Sequence, residues 1–298
     1  MENRQTIARS KSTLLTYTRQ GVEALLYSSV FISACAFCLT IETYLLTGTE
    51  VSIPMAIFVF LATLFTYNLS SVYQVLRRST KKRERQSLPW SLRNREALAL
   101  LGITSLVGAV VLYFVYGLRV DFWFVLLLAL ISVGYTVPLL YQQKRAKPLR
   151  SVPLLKVFLI AIVWSAVTVL FPLVDAGVEV WQQSVLLLWL RRMLFILALA
   201  LLFDIRDYTY DRNTRTLTFP GLIGEGYTRL LSLLLLLFYL LLAITMERDG
   251  VLVSLVSSAV VAGLVVWNAS ENKPRIYYAL LADGAMLVHF AFVYLATS

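Results

Sequence analysis

An all-α integral membrane bundle of about nine transmembrane helices is the fold class this chain predicts, and three observations predict it. The 298 residues are 59% hydrophobic with a mean hydropathy of +0.74, well above the roughly 45–50% apolar share of a soluble domain. Apolar stretches of the roughly 20 residues a span needs recur along nearly the whole length, leaving no room for a large soluble domain. The Lys and Arg residues between them alternate, rich in one set of loops and nearly absent from the other.

Residues 1–19 are polar, with Arg4, Arg9, Lys11 and Arg19 and no apolar core leading to a small-residue cleavage site. This reads as the start of a cytosolic tail (1–23) ahead of a transmembrane domain (24–298), not as a cleaved signal peptide. The first span, 24–46, carries Cys35 and Cys38, read as small buried hydrophobes because no second Cys pair accompanies them. The second span, 52–76, contains Asn68 and runs into Arg77-Arg78-Ser79-Thr80-Lys81-Lys82-Arg83-Glu84-Arg85. Spans at 97–116 and 122–141 follow, the latter holding Tyr135 and leading to Lys144, Arg145, Lys147 and Arg150. The fifth span is expected at 152–172 and the sixth at 184–203. Three more, at 229–246, 251–268 and 276–296, complete the chain. Leu, Ile, Val and Phe lie on all sides of most spans, as helices in lipid require, and Tyr and Trp gather near their ends.

With the N-terminus inside, all but four of the 27 Lys and Arg fall on the cytosolic side. The exceptions are Arg119 and Arg248 outside and Arg191 and Arg192 within the sixth span. This is the positive-inside rule, so the net charge of +10 follows topology and implies no nucleic-acid partner. A multi-pass protein of a bacterial inner membrane is the expected setting, with no obligate protein partner.

Asp204-Ile205-Arg206-Asp207-Tyr208-Thr209-Tyr210-Asp211-Arg212 carries the chemistry. On a continuous helix, spacings of three and four place Asp204, Asp207 and Asp211 on one face. Such a stripe is self-repelling unless a cation sits in it, and oxygen-only ligands suit Mg²⁺, which usually adds phosphate oxygens from a substrate. The plainer alternative is a solvated acidic helix end neutralised by Arg206 and Arg212. The basic loops 77–85 and 144–150 are expected at the same face, where lipid attraction alone also explains them.

Other polar residues are fewer. Arg191 and Arg192 lie within the sixth span, where lipid exposure costs on the order of 3 kcal/mol. At least one should therefore face a cavity or pair with an acid such as Glu42 or Asp283. Asp283 and His289 do not share a helix face, and His289 reads as an interfacial or interhelical residue. Asn68 can ligate a metal or bond a phosphate oxygen, or make an interhelical hydrogen bond. Gly221 to Gly226 lacks the strand-then-helix setting of a nucleotide cradle and reads as a loop.

These motifs resemble those of the UbiA superfamily of intramembrane prenyltransferases. The D-x-x-D-x-x-x-D of Asp204, Asp207 and Asp211 is similar to that family's second aspartate-rich motif, and the run to Thr218-Phe219-Pro220-Gly221 to the segment after it. Gly134-Tyr135-Thr136-Val137-Pro138 followed by Lys144-Arg145 resembles its Tyr-Ser-x-Pro and basic residues. The first motif departs: Asn68 matches its leading Asn, but the carboxylate positions hold Leu69, Val72 and Leu76, and the next acid is Glu84. The resemblance implies a helical bundle around a central cavity and Mg²⁺-dependent transfer of a prenyl group from an isoprenoid diphosphate to an aromatic or other lipophilic acceptor. It implies a metal held by Asp204, Asp207 and Asp211. The diphosphate would then be met by Asn68, Arg77, Arg78, Lys81, Tyr135, Lys144, Arg145, Arg206 and Arg212. The alternative function is a non-catalytic isoprenoid-binding or membrane partner protein that has lost the first metal motif. Secondary transport is weaker, since no internal repeat is evident.

Overall fold

The structure is a computed structural model that describes residues 21–22, 24–76, 90–137, 140–142, 145–147, 149, 152–214 and 216–298. Helices dominate it. α1 (Val30–Thr47), α2 (Ile53–Leu76), α3 (Arg95–Val115) and α4 (Phe122–Thr136) are followed by a two-stranded antiparallel hairpin, β1 (Leu140–Gln142) and β2 (Arg145–Lys147). Then come α5 (Leu155–Asp175), α6 (Gln183–Arg206) and two short helices, α7 (Tyr208–Asn213) and α8 (Phe219–Ile223). α9 (Glu225–Met246), α10 (Asp249–Trp267) and α11 (Arg275–Thr297) complete the bundle.

Among the described residues eight of these helices are long and apolar enough to cross a membrane, and α4, at 15 residues, is the short ninth. The number of expected spans stands, with the first and fourth shortened: the fourth ends at Thr136, two residues before Pro138, which cannot donate a backbone hydrogen bond. The first span begins at Val30 because Ser29 adopts a left-handed φ of 71°. It ends on Gly48, also left-handed at φ 62°, whose N–H bonds back to Leu45 O.

Neighbours in space are mostly neighbours in sequence, and α11 returns to pack on α1. α2 and α3 approach closely: a Cβ built on Gly102 would sit 3.1 Å from Val72 Cγ2 and 3.2 Å from Asn68 Cβ, the small-residue contact expected between helices in lipid. α6 is the most enclosed span, buried almost without interruption from Phe195 to Ile205 against α5 and α9. Ring contacts set the sense of packing. Phe58 meets Phe171 and Tyr67 meets Trp164, at centroid distances of 6.4 and 6.3 Å, so α2 and α5 run antiparallel. The end of α2 at Leu76 and the start of α5 at Leu155 thus share one face of the bundle.

Two helices contain a widened π turn, Ala166–Leu170 in α5 and Tyr278–Ala282 in α11. In α5 it precedes Pro172, which cannot donate to the Thr168 carbonyl. The Thr43 hydroxyl of α1 donates to that carbonyl at 2.7 Å, replacing the missing bond from a neighbouring helix.

Candidate functional site

The acidic motif does not lie on one continuous helix. α6 stops at Arg206, and Asp207, with φ −93° and ψ 7°, caps it before the chain restarts as α7. Thr214 then ends α7, its hydroxyl donating to Tyr210 O and Asp211 O. This break changes the direction of the carboxylates. Asp204 and Asp211 are buried and converge; Asp207 is half-exposed and turns to its neighbour Arg206, whose Nε and Nη2 each donate to it at 2.8 Å.

What lies between the converging pair is Lys156, one residue after the first of α5. Its Nζ is 2.8 Å from Asp204 Oδ1 and 3.0 Å from Asp211 Oδ2. The backbone N–H of Leu154 donates to Leu217 O at 3.0 Å, pinning the start of α5 to the segment after α7 and fixing the lysine opposite the acids. A cation in the first turn of a helix is disfavoured by the macrodipole, and burying any charge costs several kcal/mol. The carboxylates offset both costs. Lys156 was legible only as one more inside-face charge; its signal was the placement of a lysine just inside an apolar span.

A divalent ion does not fit this arrangement. Among the described residues no three His, Cys, Asp or Glu side chains come together as a metal set. Of the three aspartates expected to share a face, Asp204 and Asp211 come together here, while Asp207 is bonded to Arg206. The pair's shared position is taken by an ammonium. A divalent ion about 4 Å from it would meet a repulsion of roughly 8 kcal/mol at an effective dielectric near 20, twice that between unit charges. Asp204 is only 1% exposed; Lys156 is its ion-pair partner, and the Phe219 backbone N–H also acts on its carboxylate.

The other anticipated residues disperse. Asn68 is buried, and its Nδ2 donates to Ser28 O at 3.0 Å and Leu64 O at 2.9 Å, so it staples helices with the group expected to meet a phosphate. Tyr135 is half-buried on the last turn of α4, within electrostatic reach of Tyr67. Arg212 is exposed. Arg206 stacks on the Phe203 ring at 4.9 Å and lies within Coulomb range of Asp283. Arg77, Arg78, Lys81, Lys144 and Glu84 lie outside the described residues, and Arg145 is described for its β2 backbone alone.

A cavity of about 250 Å³ opens among α2, α3, α4 and α5. Its wall is mostly apolar and aromatic, with Phe58, Phe65, Tyr113, Trp164 and Phe171 prominent and Thr63, Thr66, Ser132 and Thr168 adding hydroxyls. Tyr67 exposes 44% of its surface although it lies inside the bundle, because it faces this space. Val110, Phe114 and Phe122 line the cavity and are among the exposed apolar residues, so the cavity reaches the molecular surface between α3 and α4. Lys156 stands two helical turns before Val163, the first α5 residue in the wall.

A second buried polar cluster ties α1, α6, α9 and α11. Glu42, fully buried, accepts from Arg192 Nη2 at 2.8 Å and meets His289 Nδ1 at 2.9 Å. His289 Nε2 is 2.9 Å from the Tyr239 hydroxyl, and Arg191 Nη1 donates to Glu247 Oε1 at 2.8 Å. The expected pairing of a mid-span arginine with Glu42 is what the structure contains, and His289 is interhelical. Glu247 and Tyr239 were not foreseen.

No protein-family profile and no curated protein matches the chain in sequence. Solved structures match in fold. The chain is 12% identical to a UbiA homologue from Archaeoglobus fulgidus bound to GPP and Mg²⁺, with a TM-score of 0.60 over 93% of this chain and 99% of that one. It is 16% identical to the apo form of a UbiA homologue from Aeropyrum pernix K1, TM-score 0.53, over 92% and 98%. A digeranylgeranylglyceryl phosphate synthase is 14% identical, TM-score 0.55, over 94% and 97%. At these identities the likeness is one of fold: the chain has the architecture of the UbiA homologues along nearly its whole length.

Proposed function

We propose that the chain is a membrane-embedded prenyltransferase that moves a prenyl group from an isoprenoid diphosphate to a lipophilic acceptor. The observation that carries this reading is the apolar, aromatic-walled cavity inside a fold whose solved homologues include forms bound to GPP or DMAPP with Mg²⁺. An isoprenoid tail suits such a wall, and a cavity without bulk water protects an allylic cation from hydrolysis. In the reaction the allylic C–O bond breaks, the electron pair leaves with diphosphate, and the acceptor forms the new bond and releases a proton. Tyr67 and Trp164, which meet edge to face at 6.3 Å in the cavity wall, would flank the reacting end. The leaving diphosphate would be met by the basic stretches 77–85 and 144–150, which follow α2 and α4 in sequence.

One observation favours the second reading, an isoprenoid-binding protein without catalysis: Lys156 occupies the gap between Asp204 and Asp211. One assay separates the two. Protein in lipid is given radiolabelled prenyl diphosphates of several lengths and a panel of aromatic acceptors, with and without Mg²⁺. Acceptor-dependent diphosphate release supports the transferase; saturable binding with no release supports the binding protein.

A further inference from the structure

We propose that Lys156 is a built-in cation that closes the acidic motif to divalent metal, so that Asp204 and Asp211 form a metal site only when this amine is removed. The geometry is that of an occupied cation position. Two carboxylates from different helices, α6 and α7, point at one centre, and a single Nζ sits there at 2.8 and 3.0 Å. The lysine side chain is 12% exposed and the Asp204 side chain 1%, so the interaction lies inside the protein and is little screened. The helix dipole opposes a cation in the first turn of α5, and the two carboxylates compensate it there. Pairs of carboxylates completed by substrate oxygens and water are a normal Mg²⁺ environment; removing the amine leaves such a pair. The surroundings agree: α2, from Ile53 to Leu76, holds no Asp or Glu, so it supplies no further carboxylate to recruit a metal beside the lysine.

The inference does not rest on prenyl transfer, and its test reads metal alone. The full-length protein is placed in nanodiscs of zwitterionic lipid, stripped with chelator and titrated with Mn²⁺, free ion being followed by electron paramagnetic resonance. Wild type is expected to leave Mn²⁺ free up to about 1 mM. Lys156→Met, which keeps the apolar stem packed, is expected to take up one ion at least tenfold more tightly, and Lys156→Met with Asp204→Asn to lose it. Lys156→Ala serves as the second variant should the methionine protein fail to fold. An Asp204-dependent ion bound by wild type, or a folded lysine variant that binds no more Mn²⁺ than wild type, overturns the proposal. Loss of prenyl transfer activity alone would bear on the functional reading and not on this one.

Discussion

Single side chains in this bundle are constrained by where their charges can go. Glu42 is fully buried and holds Arg192 on one oxygen and His289 on the other. Removing one member of a buried pair leaves an uncompensated charge, a loss of about 3 kcal/mol or more. Glu42→Gln is expected to lower unfolding free energy in mixed micelles by about that amount, and Glu42→Gln with Arg192→Met to recover part of it. A double variant no more stable than the single would remove the ion pair as the cause. Residues of this kind were partly legible: an arginine within an apolar run demands a partner, and Glu42 was among the acids in range. Lys156 was not foreseen, because one lysine at the edge of a span looks like any inside-face charge. The packing of α5 on α6 and the bond from Leu154 to Leu217 bring it opposite Asp204. No one-dimensional spacing contains that contact.

Helices were read well from apolar run length, and poorly where a local break decides direction. The stripe of three aspartates assumed an unbroken helix from 204 to 211, but Asp207 leaves helical geometry and sends its carboxylate to Arg206. The π turn in α5 escaped the sequence as well, although Pro172 marked the place. Its repair by Thr43 yields a specific expectation. Thr43→Val removes the hydroxyl that reaches Thr168 O while keeping shape. The loss should be about 1 kcal/mol, within the range measured for hydrogen bonds between membrane helices. Denaturation of the variant in micelles checks this; an unchanged midpoint would mean that the Thr168 carbonyl finds another donor.

At the scale of the molecule, the match to solved homologues over more than nine-tenths of the chain, at 12–16% identity, fits a fold specified by spans and turns more than by particular side chains. The cavity belongs to this scale, since several helices build it and no segment reveals it alone. Filling it tests its use: Ala62→Phe, from a wall position on α2, should weaken isoprenoid binding at least tenfold without lowering the unfolding midpoint. Equal affinity in the variant would place the ligand elsewhere. The opening between α3 and α4, bordered by Val110, Phe114 and Phe122, has a further consequence. A greasy ligand partitions into the surrounding bilayer before it binds, so occupancy follows its mole fraction among lipids and not its molarity in buffer. Adding empty vesicles that exchange with the sample should dilute the ligand in two dimensions and empty the protein, even while the total amount per millilitre is held constant.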